Sequence, residues 1–197
     1  MKFFAKFIFC YVLIFLCSGN VFSKNVFTLD KSLSEISFEL PVLLADNVEG
    51  KFINIDGFVI LDVENKNSNK ALFSVELKSL EFNYEKYRKL LYSNIFFDVE
   101  NFPISLIGTN KFTIPLNSNF IQLNTELQIK DIVHIIPIVI EINYLANDLV
   151  QVKTSFKFSR TAYDLGKGSW LSTLFLSDKI YLKANLFLNR DQNPSIN

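Results

Sequence analysis

Few residues of this 197-residue chain carry groups that could make or break bonds, and their spacing decides what they could do. His134 is the only histidine, so any Ser-His-Asp or Cys-His system would have to be built on it. It sits just past the Lys130-Asp131 turn signal at a strand start, where an exposed side chain without a catalytic role is expected. A zinc site needs three or four nitrogen, sulfur or acidic ligands. One histidine, with Cys10 and Cys17 both near the start of the chain, does not supply them, and no Asp/Asn-rich loop has the EF-hand spacing for calcium. Asp98 and Glu100 are the nearest approach to a carboxylate pair. Just before Asn101-Phe102-Pro103, they read as solvating a loop and not as converging on a cleft. Gly166-Lys167-Gly168 lacks the Walker spacing and the strand–loop–helix context of a phosphate site, and reads as a flexible loop. Arg160, Tyr163 and Asp164 end a strand, where they are expected either in solvent or on a rim that meets a ligand head group. Trp170, in the same stretch, either packs or covers an opening. No catalytic residue, metal or cofactor is expected, and the chain reads as non-enzymatic.

The elements that hold these residues have a period of two. Ile121, Leu123, Thr125, Leu127 and Ile129 alternate with Gln122, Asn124, Glu126 and Gln128. Val150, Val152, Thr154, Phe156 and Phe158 alternate with Gln151, Lys153, Ser155, Lys157 and Ser159. Ile136, Ile138, Ile140 and Ile142 form a third row, Ile180, Leu182, Ala184, Leu186 and Leu188 a fourth, and Phe73, Val75, Leu77 and Ser79 a fifth. Successive strand side chains point to opposite faces, so each segment has one apolar and one wetter side, which is the antiparallel pattern. Adding Glu35–Leu40, Val48–Asn54, Gly57–Val63 and Ile104–Phe112 gives eight or nine strands. Turn signals separate them at Asp56-Gly57, at 65–69, at Asn117-Ser118-Asn119, at Lys130-Asp131 and at Ala146-Asn147-Asp148. Only Tyr84–Tyr92 looks helical, with Tyr87, Leu90 and Leu91 on one side. Many short strands imply a sandwich or a barrel, and a barrel leaves no edge to protect.

The start of the chain is read apart from this domain. Lys2 and Lys6, the apolar run Phe7–Cys17 and the exit Val21-Phe22-Ser23 are the three parts of a secretory signal, and the run is too short to span a bilayer comfortably. Residues 1–23 are therefore expected to be a cleaved signal peptide, 24–190 the barrel domain and 191–197 a polar tail. Both cysteines leave with the signal. So do two lysines and no acid, which takes the balance from twenty basic and twenty acidic residues to eighteen against twenty. That balance gives no electrostatic reason to bind nucleic acid. Export to the periplasm is expected.

Landmarks along the mature chain carry a resemblance. Leu29-Asp30 followed by Ser34-Glu35-Ile36-Ser37-Phe38, then Val48-Glu49-Gly50-Lys51-Phe52 with Asp56-Gly57, look like an opening strand and a first hairpin. Ser93-Asn94-Ile95-Phe96-Phe97-Asp98 with Asn101-Phe102-Pro103 looks like a central signature, and Leu127-Gln128-Ile129 like the strand before a tight hairpin. Arg160 through Tyr163 with Leu165-Gly166, then Leu176-Ser177-Asp178-Lys179-Ile180, look like a closing segment. In this order, from about Phe27 to Leu188, the chain resembles the YceI-like family of bacterial periplasmic lipid-binding proteins. It departs from the family's pattern before Leu91, where Tyr87-Arg88 and Leu90 stand in place of an Arg-Asp pair and a His. It departs again at Asp131-Ile132-Val133, where the family has Gly-Val-Thr. Both departures make the entrance more apolar.

The resemblance implies an all-β, eight-stranded antiparallel barrel of lipocalin type with one short helix, holding a polyisoprenoid or similar long amphiphile, and it brings no catalytic residues. The inward rows are expected to line the tunnel: Phe38, Phe73, Val75, Leu77, Leu123, Leu127 and Ile138. Ile140, Val152, Phe156 and Leu182 complete them, with Phe96 and Phe97, beside Phe102, as a further wall. The partner expected is a long-chain isoprenoid or fatty lipid, with no nucleic acid. Transient membrane contact is admitted, and the oligomeric state is left open, a homodimer included. The rival readings are an envelope stress or adhesion module with a filled barrel and a protein partner, a transmembrane barrel with its apolar face outward, and a hydrolase, for which no nucleophile–base pair speaks.

Overall fold

The structure is a computed structural model and describes residues 24–44, 46–62, 65–115 and 117–191. The expected signal peptide, with Cys10 and Cys17, lies outside the described residues, as do Val63 and residues 192–197 of the polar tail. Eleven strand segments follow one another: β1 (Lys24–Leu29), β2 (Glu35–Leu40), β3 (Val48–Phe52), β4 (Ile55–Asp62), β5 (Lys70–Glu76), β6 (Leu80–Phe82), β7 (Ile104–Asn110), β8 (Phe120–Ile129), β9 (Ile132–Tyr144), β10 (Leu149–Ser159) and β11 (Lys179–Arg190). A 3-10 turn at Glu85–Tyr87 leads into the short helix α1 (Arg88–Tyr92) between β6 and β7.

The eleven segments make eight staves. β1 and β2 lie end to end along β11, with Leu29 opposite Leu188 and Glu35 opposite Asn185. β4 pairs with β1 and β3 with β2, so β3 and β4 form the next broken stave. β5 pairs with β4 and β6 with β3, which makes the third. β7, β8, β9, β10 and β11 follow in order, all antiparallel, and β1 against β11 closes the ring. The fold is an eight-stranded closed antiparallel barrel.

The three breaks, at 30–34, 53–54 and 77–79, lie side by side and are hydrogen-bonded, not frayed. The Asp30 carboxylate accepts from the backbone N–H of Ser32 and Leu33, an Asx turn. Where the ladder to β11 lapses, Asp30 N–H donates to Phe187 O (2.8 Å), and Phe187 N–H donates to Ser34 Oγ (2.8 Å). Ile53 N–H donates to Ser79 O, Glu76 N–H to Asn54 O and Leu77 N–H to Pro103 O. A line of kinks across three adjacent staves bends the sheet sharply, which closing a small barrel requires.

Several sequence expectations are corrected here. The strands expected at Val48–Asn54 and Gly57–Val63 are represented by β3 and β4, two pieces of one stave and not a hairpin, and Asp56-Gly57 lies inside β4 and not in a turn. The reason is steric. Gly57 stands opposite Phe73, and a Cβ on it would meet the Phe73 ring at 2.2 Å and Leu72 O at 2.8 Å. Gly50 stands opposite Phe38 in the same way, with the ring 2.7 Å from where its Cβ would be. Each glycine is the space in which an inward phenylalanine lies down along the wall. The Phe73–Ser79 row breaks at Leu77 into a 3-10 turn and resumes as β6. The expected helix is half 3-10, and only Leu90 and Leu91 of its apolar trio pack inward, whereas Tyr87 is exposed.

Gly57→Ala is expected to cost about 1–3 kcal/mol, the range for forcing atoms into a packed wall. The measurement is the urea midpoint at unchanged m-value. Gly57→Ala with Phe73→Leu should recover most of the loss, and an unchanged midpoint in the single variant would refute the steric account.

Candidate functional site

Because each stave alternates, one set of side chains from all eight faces the axis. They enclose an elongated cavity of about 220 Å³. At the end away from α1 its wall is Phe27, Leu61, Phe112, Ile142, Val150 and Leu188, and at the α1 end Leu40, Leu91, Phe96, Phe97, Leu127 and Leu165. The structure places all thirteen residues expected on the wall around this one cavity: Phe38, Phe73, Val75, Leu77, Phe96, Phe97, Leu123, Leu127, Ile138, Ile140, Val152, Phe156 and Leu182. Phe102 is not among them and sits in a shallow outer groove beside Ile132 and Trp170. The outward faces of β8 and β10 carry Gln122, Asn124, Glu126, Lys153 and Lys157, the reverse of a barrel built to face lipid.

Three threonines on the wall are already hydrogen-bonded. Thr109 donates to Asn124 O (3.0 Å), Thr125 to Ile136 O (2.9 Å) and Thr154 to Val139 O (2.8 Å). The wall therefore presents methyl groups where sequence suggests hydroxyls. Thr109 also bridges the seam between β7 and β8, whose registered pairs run only from Leu106 to Gly108. Of the other two hydroxyl residues in the lining, Tyr144 is exposed at the end away from α1, and Ser105 is buried with no hydrogen-bond partner for its Oγ. Sequence reasoning passed over it; its place in the row of Ile107 and Thr109 was the available signal.

The α1 end is closed by the segment 160–178, and here the structure overturns the expectation of solvated or rim residues for Arg160 and Tyr163, while Asp164 is exposed. Arg160 is 0 % exposed and Tyr163 1 %. Arg160 Nε donates to Ser177 O (2.9 Å), Nη1 to Leu165 O (2.8 Å), and Nη2 to Ser172 O and Leu176 O (both 3.1 Å), so one guanidinium gathers a whole loop. Gly166 lets the loop pass that close. Its φ is +91°, and a Cβ there would meet Arg160 Nη1 at 2.7 Å. Burial lowers the basicity of Arg160, and the Asp178 carboxylate opposes that shift. The Tyr163 hydroxyl donates to Leu127 O (3.2 Å), and burial pushes its pKa up to about 12. Trp170 lies edge-on to Phe96, with ring centroids 5.9 Å apart, and so covers the wall from outside.

The residues weighed for chemistry do not converge. His134 Nε2 lies 3.1 Å from Ala162 O, and its ring stands edge-on to Tyr163. Asp98 accepts from Asn101, while Glu100 pairs with Lys78 at 2.8 Å. Among the described residues no group of three or more His, Cys, Asp or Glu side chains could hold a metal ion. What the arrangement can do is exclude water from a slender apolar guest.

Comparison with known proteins agrees with this geometry. Residues 27–188 match the YceI-like domain. Among solved structures, BcnA of Burkholderia cenocepacia superposes with a TM-score of 0.72 at 18 % identity, covering 81 % of this chain and 98 % of that one. A polyisoprenoid binding domain from Saccharophagus degradans gives 0.67 at 12 % identity, covering 84 % and 98 %. The Campylobacter jejuni YceI protein gives 0.65 at 18 % identity, covering 78 % and 90 %. No curated protein matches the chain by sequence.

Asp178 sets an acid limit on the closed end. Burial works against its carboxylate, but hydrogen bonds from Thr161 (2.6 Å) and Ser159 (2.8 Å) outweigh it and bring the pKa from 3.8 to about 2. A folded value below the unfolded one contributes stability that is complete above the unfolded pKa and is lost as pH falls through the folded one. Unfolding free energy is thus expected to drop by about 2 kcal/mol through this group between pH ~4 and ~2. In urea titrations across that range, Asp178→Asn should be less stable at neutral pH and should lose that part of the acid dependence. A variant that follows the wild-type profile would exclude this role.

Proposed function

The chain belongs to the YceI-like family, and from that premise we propose that it is a binding protein that sequesters or carries a long-chain isoprenoid or similar amphiphilic lipid in the periplasm. The observation that carries this reading is the continuous apolar tunnel through a closed barrel. A second support is the Saccharophagus degradans neighbour, a polyisoprenoid binding domain of the same fold. The mechanism is passive. Each buried CH₂ contributes about 0.8 kcal/mol, so a dozen give roughly 10 kcal/mol before ordering costs are subtracted. No bond is made or broken, in keeping with a wall that offers aliphatic and aromatic carbon and few polar atoms. Export is supported by Lys2 and Lys6, the apolar run Phe7–Cys17 and the small exit residue Ser23.

Loading from a bilayer fits the closed end. Leu43, Leu44, Leu171, Leu174 and Phe175 are exposed there, Leu44 at 95 %. Their two loops are tied by hydrogen bonds from Leu43 N–H to Phe175 O (2.8 Å) and from Ser177 N–H to Pro41 O (3.0 Å). Leu40 and Leu176, at the roots of the same loops, pack into the cluster that stops the tunnel. Apolar tips continuous with the stopper of a lipid tunnel are suited to the boundary layer of a membrane, the cargo's own source.

Native mass spectrometry of protein purified from its own envelope is expected to show a bound lipid that organic solvent extracts. Val152→Trp, which fills the lumen, should cut occupancy by about tenfold or more, the consequence of losing at least one or two buried methylenes. An empty wild-type barrel would overturn the carrier reading. For the loop tips, the measurement is transfer of a fluorescent polyprenol to phosphatidylethanolamine–phosphatidylglycerol vesicles. Leu44→Asp with Phe175→Asp should slow it by about tenfold or more and leave tunnel occupancy unchanged. Equal transfer rates would remove the membrane contact.

A further inference from the structure

The barrel wall is not sewn equally throughout. β9 pairs with β8 from Ile132 to Glu141, and β10 pairs with β11 from Leu149 to Ser159. Between β9 and β10 the ladder holds only from Tyr144 opposite Val150 to Ile140 opposite Thr154. Beyond that rung, towards the stopper, residues 132–139 and 155–159 run on without registered pairs between them. The sequence gives a reason. The Val139 carbonyl accepts from Thr154 Oγ1 (2.8 Å), while Ile142 N–H donates to Asn119 O beside β8, so the odd-numbered residues of β9 turn their backbone groups to β10. Pro137 stands in that odd row and has no N–H to give. The same row points outward and is apolar. Val133, Ile135 and Val139 are exposed, Ile135 at 69 %, whereas the rows beside them carry Gln122, Asn124 and Glu126 on β8 and Lys153 and Lys157 on β10. An exposed apolar strip with polar borders marks a contact site.

We propose that this split between β9 and β10 is a side port, with the strip on β9 as its outer landing, through which the hydrocarbon chain of the cargo enters and leaves the lumen. The inference rests on the carrier reading and adds a route to it. The occupant follows from continuity. Ile138 on one lip, and Phe156 and Phe158 on the other, line the tunnel, while Val133, Ile135, Pro137 and Val139 lie on the outer side of the first lip. One strand thus carries apolar surface from the outside to the lumen. What fills the split is not a ladder. His134 Nε2 lies 3.1 Å from Ala162 O, and the Tyr163 ring stands edge-on to His134 and to Phe158, with centroids 4.9 and 5.5 Å away. Parting the lips there breaks no registered rung, which is the character of a segment that opens locally. A chain passing through the stopper would have to break the four bonds of Arg160 and the ties from Leu43 to Phe175 and from Ser177 to Pro41. The split opens at the stopper end, where Lys130, at the β8–β9 turn, donates to Asp164 O (2.8 Å).

The test ties the lips together. Ile135→Cys and Lys157→Cys put one thiol on the outer side of each lip, and Cys10→Ser with Cys17→Ser makes them the only thiols of the chain. A short bifunctional maleimide bridges them in delipidated protein. Stopped-flow fluorescence then follows uptake of cis-parinaric acid, a linear probe, and its release to vesicles. The same variant before bridging is the baseline, so a folding defect is common to both arms. Bridging is expected to slow uptake and release alike by about tenfold or more and to leave Kd within about twofold, the signature of a raised barrier between unchanged end states. Lys153→Cys with Asn185→Cys, bridged across the registered β10–β11 ladder, should change neither rate. Unchanged rates in the first variant, equal slowing in both, or a changed Kd with unchanged uptake would overturn the port. If the unbridged protein takes up no probe, the carrier reading itself fails, and the two failures are thereby told apart.

Discussion

One seam turns this sheet into a tube. β1 meets β11 through Phe27 opposite Arg190, Thr28 opposite Asn189 and Leu29 opposite Leu188, and β2 continues along the same strand from Glu35 to Glu39. Without that seam the inward rows would form one face of an open, twisted sheet and would have to collapse on something else. The seam closes because three neighbouring staves kink together, and the kinks hold because side-chain and backbone hydrogen bonds outside the ladder replace the lapsed ones. Ser34 accepting from Phe187 N–H is the clearest case. The tunnel is therefore a consequence of local hydrogen-bond repair at 30–34, 53–54 and 77–79, where the strand pattern itself would have given a flatter sheet.

A closed barrel of eight staves is just wide enough to be filled by its own side chains, so an open lumen has to be maintained. Gly50 and Gly57 do this by letting Phe38 and Phe73 recline along the wall and not point at the axis. The choice has a stability cost. An apolar void of about 220 Å³ forgoes packing on the order of 5 kcal/mol. A guest chain restores those contacts, so the same vacancy that weakens the empty protein strengthens the loaded one. Binding and stability are linked through a single space.

Much of this was legible in the sequence, for a definite reason. β8, β10 and β11 each have one apolar and one wetter row, so parity names the wall, and residues such as Leu123, Val152 and Leu182 follow from it directly. Misreadings fell where a residue type does not do its usual work. Asp56-Gly57 has turn chemistry, but the glycine serves Phe73 on the neighbouring stave, a contact that no local pattern reveals. Arg160 has the charge of a surface residue, yet it is buried because distant carbonyls at Leu165, Ser172, Leu176 and Ser177 fold back onto it. β6 is three residues long, too short for an alternation to be seen. Local period is encoded locally, while closure and the stopper are properties of contacts across the barrel.

The stopper also answers a problem that a purely apolar tunnel cannot solve. Every methylene of a guest gains about the same free energy wherever it lies, so a chain in a uniform pipe has no preferred register and slides. Register needs a wall at one end. Arg160 supplies the wall by drawing the 160–178 segment over the lumen, with Tyr163 pinned to Leu127 O and Leu165 buried beneath. With that wall at one end, the end of a guest chain has a fixed stop, and variation in chain length is absorbed at the far end between Leu61, Phe112 and Leu188.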